Sequence, residues 1–460
     1  GTGAVEVDGR ERPLAAGDVI RIPASAHLVV RAVADLHIIE VRIPEGINPF
    51  LDVQSEWQRW QERATACFEL LSQLKHNENE LADSFCRNLS FGIGGIRAKM
   101  GAGPNRLNVY TVARATQGLS NWLHMVYPAA KENELTVAIA RDTRHHSDSF
   151  ARIAAEVFAA NNIVVRIYRE PTPTPTLSFA VRKLACAAGV VITASHNRAE
   201  YNGYKVYNAD GCQITTKDAQ AIQAQIDSVD MFDDVRHQDF EAEMAMGRIS
   251  WIDSEVLDDY QKAVIAESLG DTHDARKDLS IIYTPLNGTG NPLVPAVLKQ
   301  TDFIKIEMVP QQSRPDPSFA TCPYPNPESS EALSCGLDIA RRKHADILIA
   351  TDPDCDRMGL AVNHDKSWQR LTGNDVGVLL LDWLCCHEKA AGHSLAQRVV
   401  ITTIVTTPMI DELAKYYGFE LRRTLTGFKF IGEQIGLLEA QREQDRFLFG
   451  LEESIGYLKG

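Results

Sequence analysis

A serine and a histidine stand together at the end of an apolar run. Residues 189–193 predict a buried strand, and Ser195 and His196 come just after it. A hydroxyl beside an imidazole at the end of a buried strand occupies the place where α/β proteins usually carry out their chemistry. A polar strand end that only caps the next helix is the alternative interpretation.

Three aspartates, Asp352, Asp354 and Asp356, alternate along the segment after another apolar run. In an extended segment this spacing projects all three carboxylates to one side, where they repel one another unless a cation lies between them. A set of oxygen ligands suits Mg²⁺. The segment is not an EF-hand loop, because Arg357 stands where that loop requires glycine. We therefore predict a magnesium site, with an exposed acidic turn as the alternative.

A magnesium ion held by three carboxylates has room for further oxygens, and a phosphate on Ser195 would supply them. The metal would then neutralise that phosphate and polarise phosphorus for transfer. Lys205 lies beyond a turn at 202–203 and could fold back towards the serine. Such a lysine could act as a base towards a sugar hydroxyl if its pKa is lowered. A solvated surface lysine is the alternative.

Two further loops and one glycine-rich stretch carry polar groups suited to a sugar phosphate. Glu452 and Ser454 follow a predicted strand and offer an acceptor and a donor for neighbouring sugar hydroxyls. The loop at 425–429 follows another predicted strand. Residues 91–108 are rich in glycine and contain Arg97, so backbone N–H groups and guanidinium forks could hold an anion there. Taken singly, each is equally compatible with an ordinary loop or helix cap.

The elements that must position these residues alternate between strand-like and helix-like runs. Such alternation from residue 135 onwards implies crossover connections and a largely parallel sheet. The pattern predicts three α/β units in series, with an acidic, weakly apolar linker at 227–247 after the first. The predicted domains are a β segment at 1–47 and α/β domains at 48–247, 248–368 and 369–460.

The first part of the chain differs from the rest. Turn signals separate short β-like runs, which predicts a small antiparallel all-β segment. These runs are at 4–7, 19–22, 28–32 and 37–43. The stretch GDVIRIPASAH resembles the second half of a cupin barrel of the kind found in mannose-6-phosphate isomerases. No second group of histidines precedes it, so we expect His27 to be structural rather than a metal ligand.

The composition is that of an ordinary soluble globular protein, with 44% hydrophobic and 23% charged residues among 460. A formal net charge of −14 argues against nucleic acid and against an anionic membrane surface as partners, and it means that local arginines and lysines must hold any anionic substrate. No apolar run approaches the length of a membrane span. The nine cysteines are scattered without CxxC spacing, which predicts reduced thiols in the cytoplasm.

Several phrases of the sequence, in order, resemble those of the α-D-phosphohexomutases. They are TASHN with a following YNGYKVY, then DPDCDR, TGFKFIG and EES. The stretches FGIGGIRAKMGAGPNRLN and YTPLNGTG are similar to the branch that contains phosphoglucomutases and phosphopentomutases. The resemblance runs from about Trp57 to Gly460. It implies three consecutive mixed-sheet α/β phosphohexomutase domains, with the family's fourth domain missing, after the small all-β cupin-like segment.

The resemblance also implies a role for each candidate residue. Ser195 would carry the phosphate and, with Asp352, Asp354 and Asp356, would bind Mg²⁺. The residues implied in phosphoryl transfer are Ser195, His196, Lys205, Arg97 and Arg357. The residues implied in contacts with the sugar phosphate are Thr426, Gly427, Lys429, Glu452 and Ser454.

The activity implied by the resemblance is that of a phosphohexomutase, an isomerase of carbohydrate metabolism. It would interconvert hexose 1-phosphate and hexose 6-phosphate, with glucose as the expected sugar, through a phosphoserine and a bisphosphorylated sugar intermediate. Glucose 1,6-bisphosphate would be the activator. The expected partner is a small-molecule sugar phosphate, and the oligomeric state stays open.

The sequence departs from the family pattern in two places. Ile93 and Ala98 stand where family members commonly have threonine and glycine beside Arg97. The family's fourth-domain loop, which grips the non-reacting phosphate, has no counterpart before Gly460. From these departures we expect low mutase activity of these 460 residues. Two alternatives stay open: a non-catalytic sugar-phosphate binding protein or truncated mutase remnant, and a phosphatase in which water takes the serine phosphate.

Overall fold

The computed structural model describes residues 3–7, 10–14, 28–32, 51–92, 94–269 and 273–460. Near the start of the chain, three strands form an antiparallel sheet in the order β2-β1-β3: β1 (Gly3–Val7), β2 (Arg10–Leu14) and β3 (Leu28–Ala32). The predicted runs at 19–22 and 37–43, the cupin-like stretch and His27 lie outside the described residues.

The first α/β unit contains one mixed sheet of six strands. The strands are β4 (Gly95–Lys99), β5 (Thr136–Arg141), β6 (Val164–Ile167), β7 (Ala188–Ile192), β8 (Tyr201–Asn208) and β9 (Ile249–Trp251). Their order is β4-β8-β7-β5-β6-β9. Strands β5, β6, β7 and β9 pair in parallel, whereas β8 is antiparallel to both of its neighbours.

Helices cover both faces of this sheet, because alternate residues of β5 enter two separate cores. Val137 and Ile139 pack with residues of α4, α5 and α7, whereas Ala138 and Ala140 pack with residues of α6 and α9. The helices of this unit are α1 (Val53–Arg63), α2 (Phe68–Leu74), α3 (Glu78–Phe85), α4 (Val109–Val126), α5 (Ser147–Ala160), α6 (Thr174–Lys183), α7 (Thr216–Asp227), α8 (Phe240–Ala245) and α9 (Ser254–Ala266). A 3₁₀ turn at Thr65–Cys67 separates α1 from α2.

The stretch at 227–247 is not the linker that its acidic composition predicts. It contains α8, and the apolar side chain of Phe240 is buried in the core beneath α5. The next strand, β9, pairs with β6, so the first sheet extends past residue 247. A few apolar residues in an acidic stretch were enough to hold it against the sheet.

The second α/β unit has a five-stranded mixed sheet in the order β11-β10-β12-β13-β14. Its elements are α10 (His273–Asp278), β10 (Ser280–Thr284), α11 (Leu293–Gln300), β11 (Lys305–Met308), α12 (Ser330–Lys343), β12 (Ile347–Thr351), β13 (Met358–His364) and β14 (Ser367–Leu371). Strands β11, β10 and β12 are parallel, and β13 returns antiparallel to β12. The loop at 352–357 is therefore the connection of a hairpin.

The third α/β unit has a four-stranded mixed sheet in the order β16-β15-β17-β18. Its elements are α13 (Gly373–Ala390), β15 (Val399–Thr403), α14 (Met409–Tyr417), β16 (Glu420–Thr424), α15 (Phe428–Ala440), the 3₁₀ turn Gln444–Arg446, β17 (Phe447–Glu452) and β18 (Gly456–Lys459). Strands β16, β15 and β17 are parallel, and β18 is antiparallel to β17. Three mixed-sheet α/β units in series confirm the predicted fold class of the chain after its β segment.

None of the helices in the part of the chain that the structure describes combines the length and the apolar character needed to cross a membrane.

The close packing of β8 between β4 and β7 leaves no room for a side chain at Gly203. A Cβ added there would lie 2.4 Å from the carbonyl oxygen of Thr193 and 2.7 Å from that of Ile96. We predict that Gly203→Ala lowers the free energy of unfolding by about 1–3 kcal/mol, measured by urea unfolding, because two backbone carbonyls must move.

The matched control is Gly436→Ala in α15, where an added Cβ has no heavy atom within 4 Å. This variant should unfold at the same urea concentration as the unchanged chain or a higher one. Equal stability of the two glycine variants would contradict the packing described for β8.

Candidate active site

The structure brings Ser195 onto the aspartate loop of the second unit. Ser195 lies in the loop between β7 and β8, is fully buried, and has a left-handed backbone conformation with φ of 54°. Its Oγ donates a hydrogen bond of 2.6 Å to Oδ2 of Asp352. Its hydroxyl also lies 3.3 Å from Nδ1 of His196. Two loops that are far apart in the sequence therefore meet at one hydroxyl group.

The three aspartates form a compact set of oxygen atoms. One carboxylate oxygen from each lies within 4.8 Å of the others, and Asp352 and Asp354 are fully buried. Burial and repulsion from Asp354 and Asp356 hold the pKa of Asp352 well above its usual value. Oδ1 of Asp354 and Oδ1 of Asp356 are buried without a hydrogen-bond partner among the described residues. Unpartnered, mutually repelling carboxylate oxygens fit a bound divalent cation.

Lys205 compensates part of this negative charge. Its Nζ lies 2.7 Å from Oδ2 of Asp354 and 3.4 Å from Oδ2 of Asp356. Burial acts to lower the pKa of Lys205, but attraction to the two carboxylates outweighs it and raises the pKa above its usual value. The lowered pKa suggested from the sequence is therefore not met in this structure. The same contacts favour the charged form of Asp354, whose pKa is lowered despite its burial.

His196 is neutral at physiological pH. Burial lowers its pKa to about 4, and the positive charges of Arg357 and Arg97 act in the same direction. The imidazole packs edge-on against the ring of Tyr324 from the second unit, with 5.8 Å between ring centroids. A neutral ring beside Ser195 can accept or donate one proton in a hydrogen bond, but it adds no positive charge.

The two predicted arginines contact different loops of the site. The guanidinium of Arg357 lies 3.8 Å from Oδ1 of Asp356, and attraction to Asp356 and Asp352 raises its pKa although burial acts against this. Its backbone N–H donates to Oδ1 of Asp352 at 3.1 Å. Arg97 is exposed, and its guanidinium donates to Oδ1 of Asn197 at 3.5 Å.

The structure also brings Glu452 and Ser454 of the third unit to this place. Glu452 is 7% exposed, and burial raises its pKa. The Oγ of Ser454 donates to Oε1 of Glu452 at 2.8 Å. The backbone N–H of Met358, just after the aspartate loop, donates to the carbonyl of Ile455 at 3.1 Å. A backbone hydrogen bond thus joins the Glu452–Ser454 loop to the residues that follow the aspartate loop.

The remaining predicted residues are not joined to the serine in the same way. Thr426 is exposed and Gly427 precedes α15. Lys429 is buried with its Nζ 4.5 Å from the ring centre of Phe430, and burial lowers its pKa. No hydrogen bond or ion pair found among the described residues links these three to Ser195 or to the aspartates.

Sequence reasoning missed Arg144, which holds the serine loop. Its buried guanidinium donates to the carbonyl oxygens of Ser195 at 2.6 Å and Asn197 at 2.5 Å. It also donates to the carbonyls of Arg198 and Tyr201, at 2.8 and 3.0 Å. The signal was the pair of charged residues at 142 and 144 after β5, because the carboxyl ends of adjacent parallel strands meet at one edge of a sheet.

Arg144 also lies at the contact between the first two units. Its guanidinium is 4.9 Å from the ring centre of Phe319, which belongs to the second unit. Its neighbour Thr143 donates from Oγ1 to the carbonyl of Asn287 at 2.9 Å. Buried Asp142 lies 3.2 Å from Nε of Arg144 and balances its charge. One side chain therefore fixes the serine loop and touches the second unit.

Comparison with known proteins agrees with this architecture. The family descriptions "Phosphoglucomutase/phosphomannomutase, alpha/beta/alpha domain I", "domain II" and "domain III" match residues 88–232, 258–366 and 372–460. A phosphoglucomutase of Staphylococcus aureus strain MRSA252 is 36% identical over 385 residues, which cover 84% of this chain and 67% of that protein. A phosphoglucomutase of a bovine strain of the same species is 36% identical over 400 residues, covering 87% and 69%.

Solved structures show the same fold. A putative phosphomannomutase from Thermus thermophilus superposes with a TM-score of 0.65 and 23% identity, covering 81% of this chain and 75% of that one. The phosphoglucomutase pp63/parafusin of Paramecium gives 0.61 and 17%, covering 80% and 66%. The chain belongs to the phosphoglucomutase/phosphomannomutase family. It is a hexose phosphate mutase, and its chemistry is phosphoryl transfer.

The pKa of His196 predicts a pH dependence of stability. The unfolded chain takes up a proton on this histidine below about 6.5, whereas the folded chain does so only near 4. The contribution of this residue to stability is therefore complete above about 6.5 and is lost as the pH falls towards 4. We expect His196→Asn to flatten the decline in urea midpoint across this interval. His364→Asn, at the exposed end of β13, is the matched control, and an unchanged decline in the His196→Asn variant would contradict the assignment.

The contacts of Arg144 predict that it positions the serine loop. We expect Arg144→Lys to lower kcat by about 10- to 100-fold with a KM change below about threefold, because lysine cannot reach four carbonyls and a small displacement of reacting atoms is costly. Arg152→Lys, on the exposed side of α5, is the control and should change neither constant. A variant that only loses thermal stability, with kcat unchanged, would show that Arg144 has a structural role alone.

Proposed function

We propose that the chain interconverts hexose 1-phosphate and hexose 6-phosphate, with glucose as the sugar, through a phosphate carried by Ser195. The single observation that supports this most strongly is the 2.6 Å hydrogen bond from Ser195 Oγ to Asp352. A phosphate on that oxygen would lie next to three carboxylates, and so much negative charge in one place requires a bound cation. The serine phosphate would be passed to the free hydroxyl of the sugar, giving a bisphosphate, and the other phosphate would then return to the serine.

The cation we propose is Mg²⁺, held by Asp352, Asp354 and Asp356 together with an oxygen of the serine phosphate. Compact oxygen ligands and buried unpartnered carboxylate oxygens support this choice. When bound, the ion neutralises the phosphate and withdraws electrons from phosphorus. Burial and repulsion from Asp354 and Asp356 together raise the pKa of Asp352, and a cation that shares the negative charge would reduce the repulsion.

Lys205 and His196 are proposed to act on either side of the transfer. During transfer a bond forms between the sugar oxygen and phosphorus, and the bond from phosphorus to Ser195 Oγ breaks with its electron pair left on Oγ. Lys205, charged in this structure, is suited to stabilise the phosphoryl oxygens, to supply the proton that Oγ takes up and to recover the proton that the sugar hydroxyl loses, so that its own charge is the same before and after the step. Neutral His196 is suited to orient the hydroxyl of Ser195 by a hydrogen bond. Arg97 and Arg357 would balance the remaining negative charge.

The sugar contacts are proposed to come from the third unit. Glu452 and Ser454 offer an acceptor and a donor beside the aspartate loop, and Thr426, Gly427 and Lys429 would bind the other end of the sugar phosphate. The Nζ of Lys429 is buried without a hydrogen-bond partner among the described residues, which supports an anionic contact. Glucose 1,6-bisphosphate would act as activator by donating the first phosphate to Ser195.

The setting of the reaction follows from charge and cysteine content. The nine cysteines are all unpaired thiols, which supports a reducing compartment such as the cytoplasm. The net charge of −14 supports a small sugar phosphate as the partner rather than nucleic acid or a membrane. The N-terminal cupin-like stretch at 17–27 is proposed to derive from a sugar-phosphate isomerase barrel. We keep the domain limits proposed from the sequence, except that the first unit extends to residue 266, because β9 pairs in the first sheet and α9 packs against α6.

The test is to find the phosphate on the serine. After incubation with Mg²⁺ and glucose 1,6-bisphosphate, mass spectrometry of a digest should find one phosphate on Ser195. Chelation of the metal before incubation should lower the yield by at least about tenfold. Ser195→Ala should remove the modification, and Ser149→Ala, in the first turn of α5, should leave it unchanged. An unmodified Ser195 in the unchanged chain, or full yield after chelation, would contradict the proposal.

A further inference from the structure

A second cavity with a cationic lining lies beside the candidate active site. It has a volume of about 340 Å³, which falls in the range of roughly 300–1,000 Å³ typical of small-molecule sites. Its lining joins the end of α3 and the following loop to one face of β4. The lining side chains that carry positive charge are Arg87, Arg97, Lys99 and Arg106.

Three of these four cations have no carboxylate partner in the described parts of the chain. Arg106 is neutralised, since its guanidinium lies 2.6 Å from both Glu80 and Asp83. The Nε of Arg87 donates only to Oδ1 of Asn105, at 3.3 Å. Arg97 donates only to Asn197, and no hydrogen bond or ion pair of the Lys99 side chain is found within 51–92, 94–269 or 273–460. In a chain of net charge −14, three uncompensated cations around one cavity favour an anion.

The walls of this cavity are fixed by bonds that need no ligand. Asn105, which accepts from Arg87, donates from Nδ2 to the carbonyl of Asp83 at 2.7 Å. The Arg106 side chain is only 5% exposed, so its ion pairs hold α3 against the glycine-rich loop. The backbone at Gly103 passes so close to the carbonyl of Ser84 that an added Cβ would lie 2.5 Å from it. A cavity shaped in advance binds with less loss of conformational entropy.

The cavity and the reaction centre lie at different positions along the same pair of strands, β4 and β8. Lys205 pairs with Gly95, Gly203 with Arg97, and Tyr201 with Lys99, so these side chains share one face of the sheet. Four residues along β8 correspond to about 13 Å, at roughly 3.3 Å per residue. The Nζ of Lys205 is held by the carboxylates of Asp354 and Asp356, and Lys205 does not line the cavity at Lys99 and Tyr201, so the cavity is separate from the aspartate loop. Arg97 stands between them and contacts the serine loop through Asn197.

We propose that this cavity binds the phosphate group of a small phosphorylated metabolite at a site separate from the phosphate on Ser195. Arg87 and Lys99 would hold the anion from two sides, and Arg97 would turn towards it. An anion there would draw Arg97 away from Asn197 and so alter the charge around the serine loop. Occupation of the cavity and affinity for substrate at the reaction centre are then coupled, and the coupling acts equally in both directions.

The test is calorimetric titration of the full chain with inorganic phosphate and, separately, with methyl phosphate, which has no sugar to engage the third unit. The double variant Arg87→Gln, Lys99→Gln should bind either probe at least about tenfold more weakly than the unchanged chain. The double variant Arg341→Gln, Lys343→Gln loses the same charge from the exposed side of α12 and should bind as the unchanged chain does. Tighter binding of methyl phosphate than of inorganic phosphate would assign the site to phosphate esters, and the reverse to free phosphate.

Mutase turnover at saturating substrate should stay within about twofold in both double variants, because Arg87 and Lys99 are exposed and outside the catalytic machinery. This readout shows that the variants fold and separates the cavity from the reaction itself. Equal affinity for phosphate in the unchanged chain and in the Arg87→Gln, Lys99→Gln variant would overturn the proposal. Absence of saturable phosphate binding to the unchanged chain would also overturn it.

Discussion

The repulsion among three carboxylates on one hairpin loop is the constraint on which the rest of the structure depends. Asp352 and Asp354 are fully buried, and burying charges of one sign together is unfavourable unless opposite charges and hydrogen bonds compensate them. The compensating groups come from elsewhere, since Lys205 and Ser195 belong to the first unit. The first and second units must meet at this loop for it to be buried at all. The arrangement of the two units and the charge balance of the site therefore depend on each other.

The negative charge of the three aspartates is only partly compensated, and this leaves the site able to bind a cation. Lys205 satisfies one oxygen of Asp354, while the other oxygen of Asp354 and Oδ1 of Asp356 have no hydrogen-bond partner among the described residues. Asp352 is left with a raised pKa and a hydrogen bond from the serine hydroxyl. A divalent cation would relieve the repulsion, and a phosphate on the serine would then become tolerable. The same argument explains why Lys205 is charged: its pKa depends on a residue 149 positions away.

Local patterns explain which parts of this could be predicted from the sequence. Ser195 and the aspartates were found because each follows an apolar run, and such runs became β7 and β12. Arg144 was missed because it acts by donating hydrogen bonds to four carbonyl groups that are distant in the sequence, and no local pattern predicts such contacts. The prediction of a linker at 227–247 was wrong, because this acidic stretch contains a short helix whose aromatic side chain, Phe240, is buried in the core of the first unit. Long-range contacts, rather than local composition, decided the two features that the sequence did not predict.

The three functional loops occupy the same topological place. Each connects a strand of the parallel part of a sheet to the strand that returns antiparallel: β7 to β8, β12 to β13, and β17 to β18. Each also contains one residue other than glycine in the left-handed conformation: Ser195, Cys355 and Ile455 have φ of 54°, 55° and 60°. Such conformations cost about 1 kcal/mol or more and persist only where their surroundings fix them. A hairpin connection is held at both ends by strand pairing, so the same kind of backbone can present Ser195, the three aspartates or Glu452. The three α/β units therefore differ in side-chain chemistry at one equivalent loop, and the contacts between those loops bring the three chemistries to a common point.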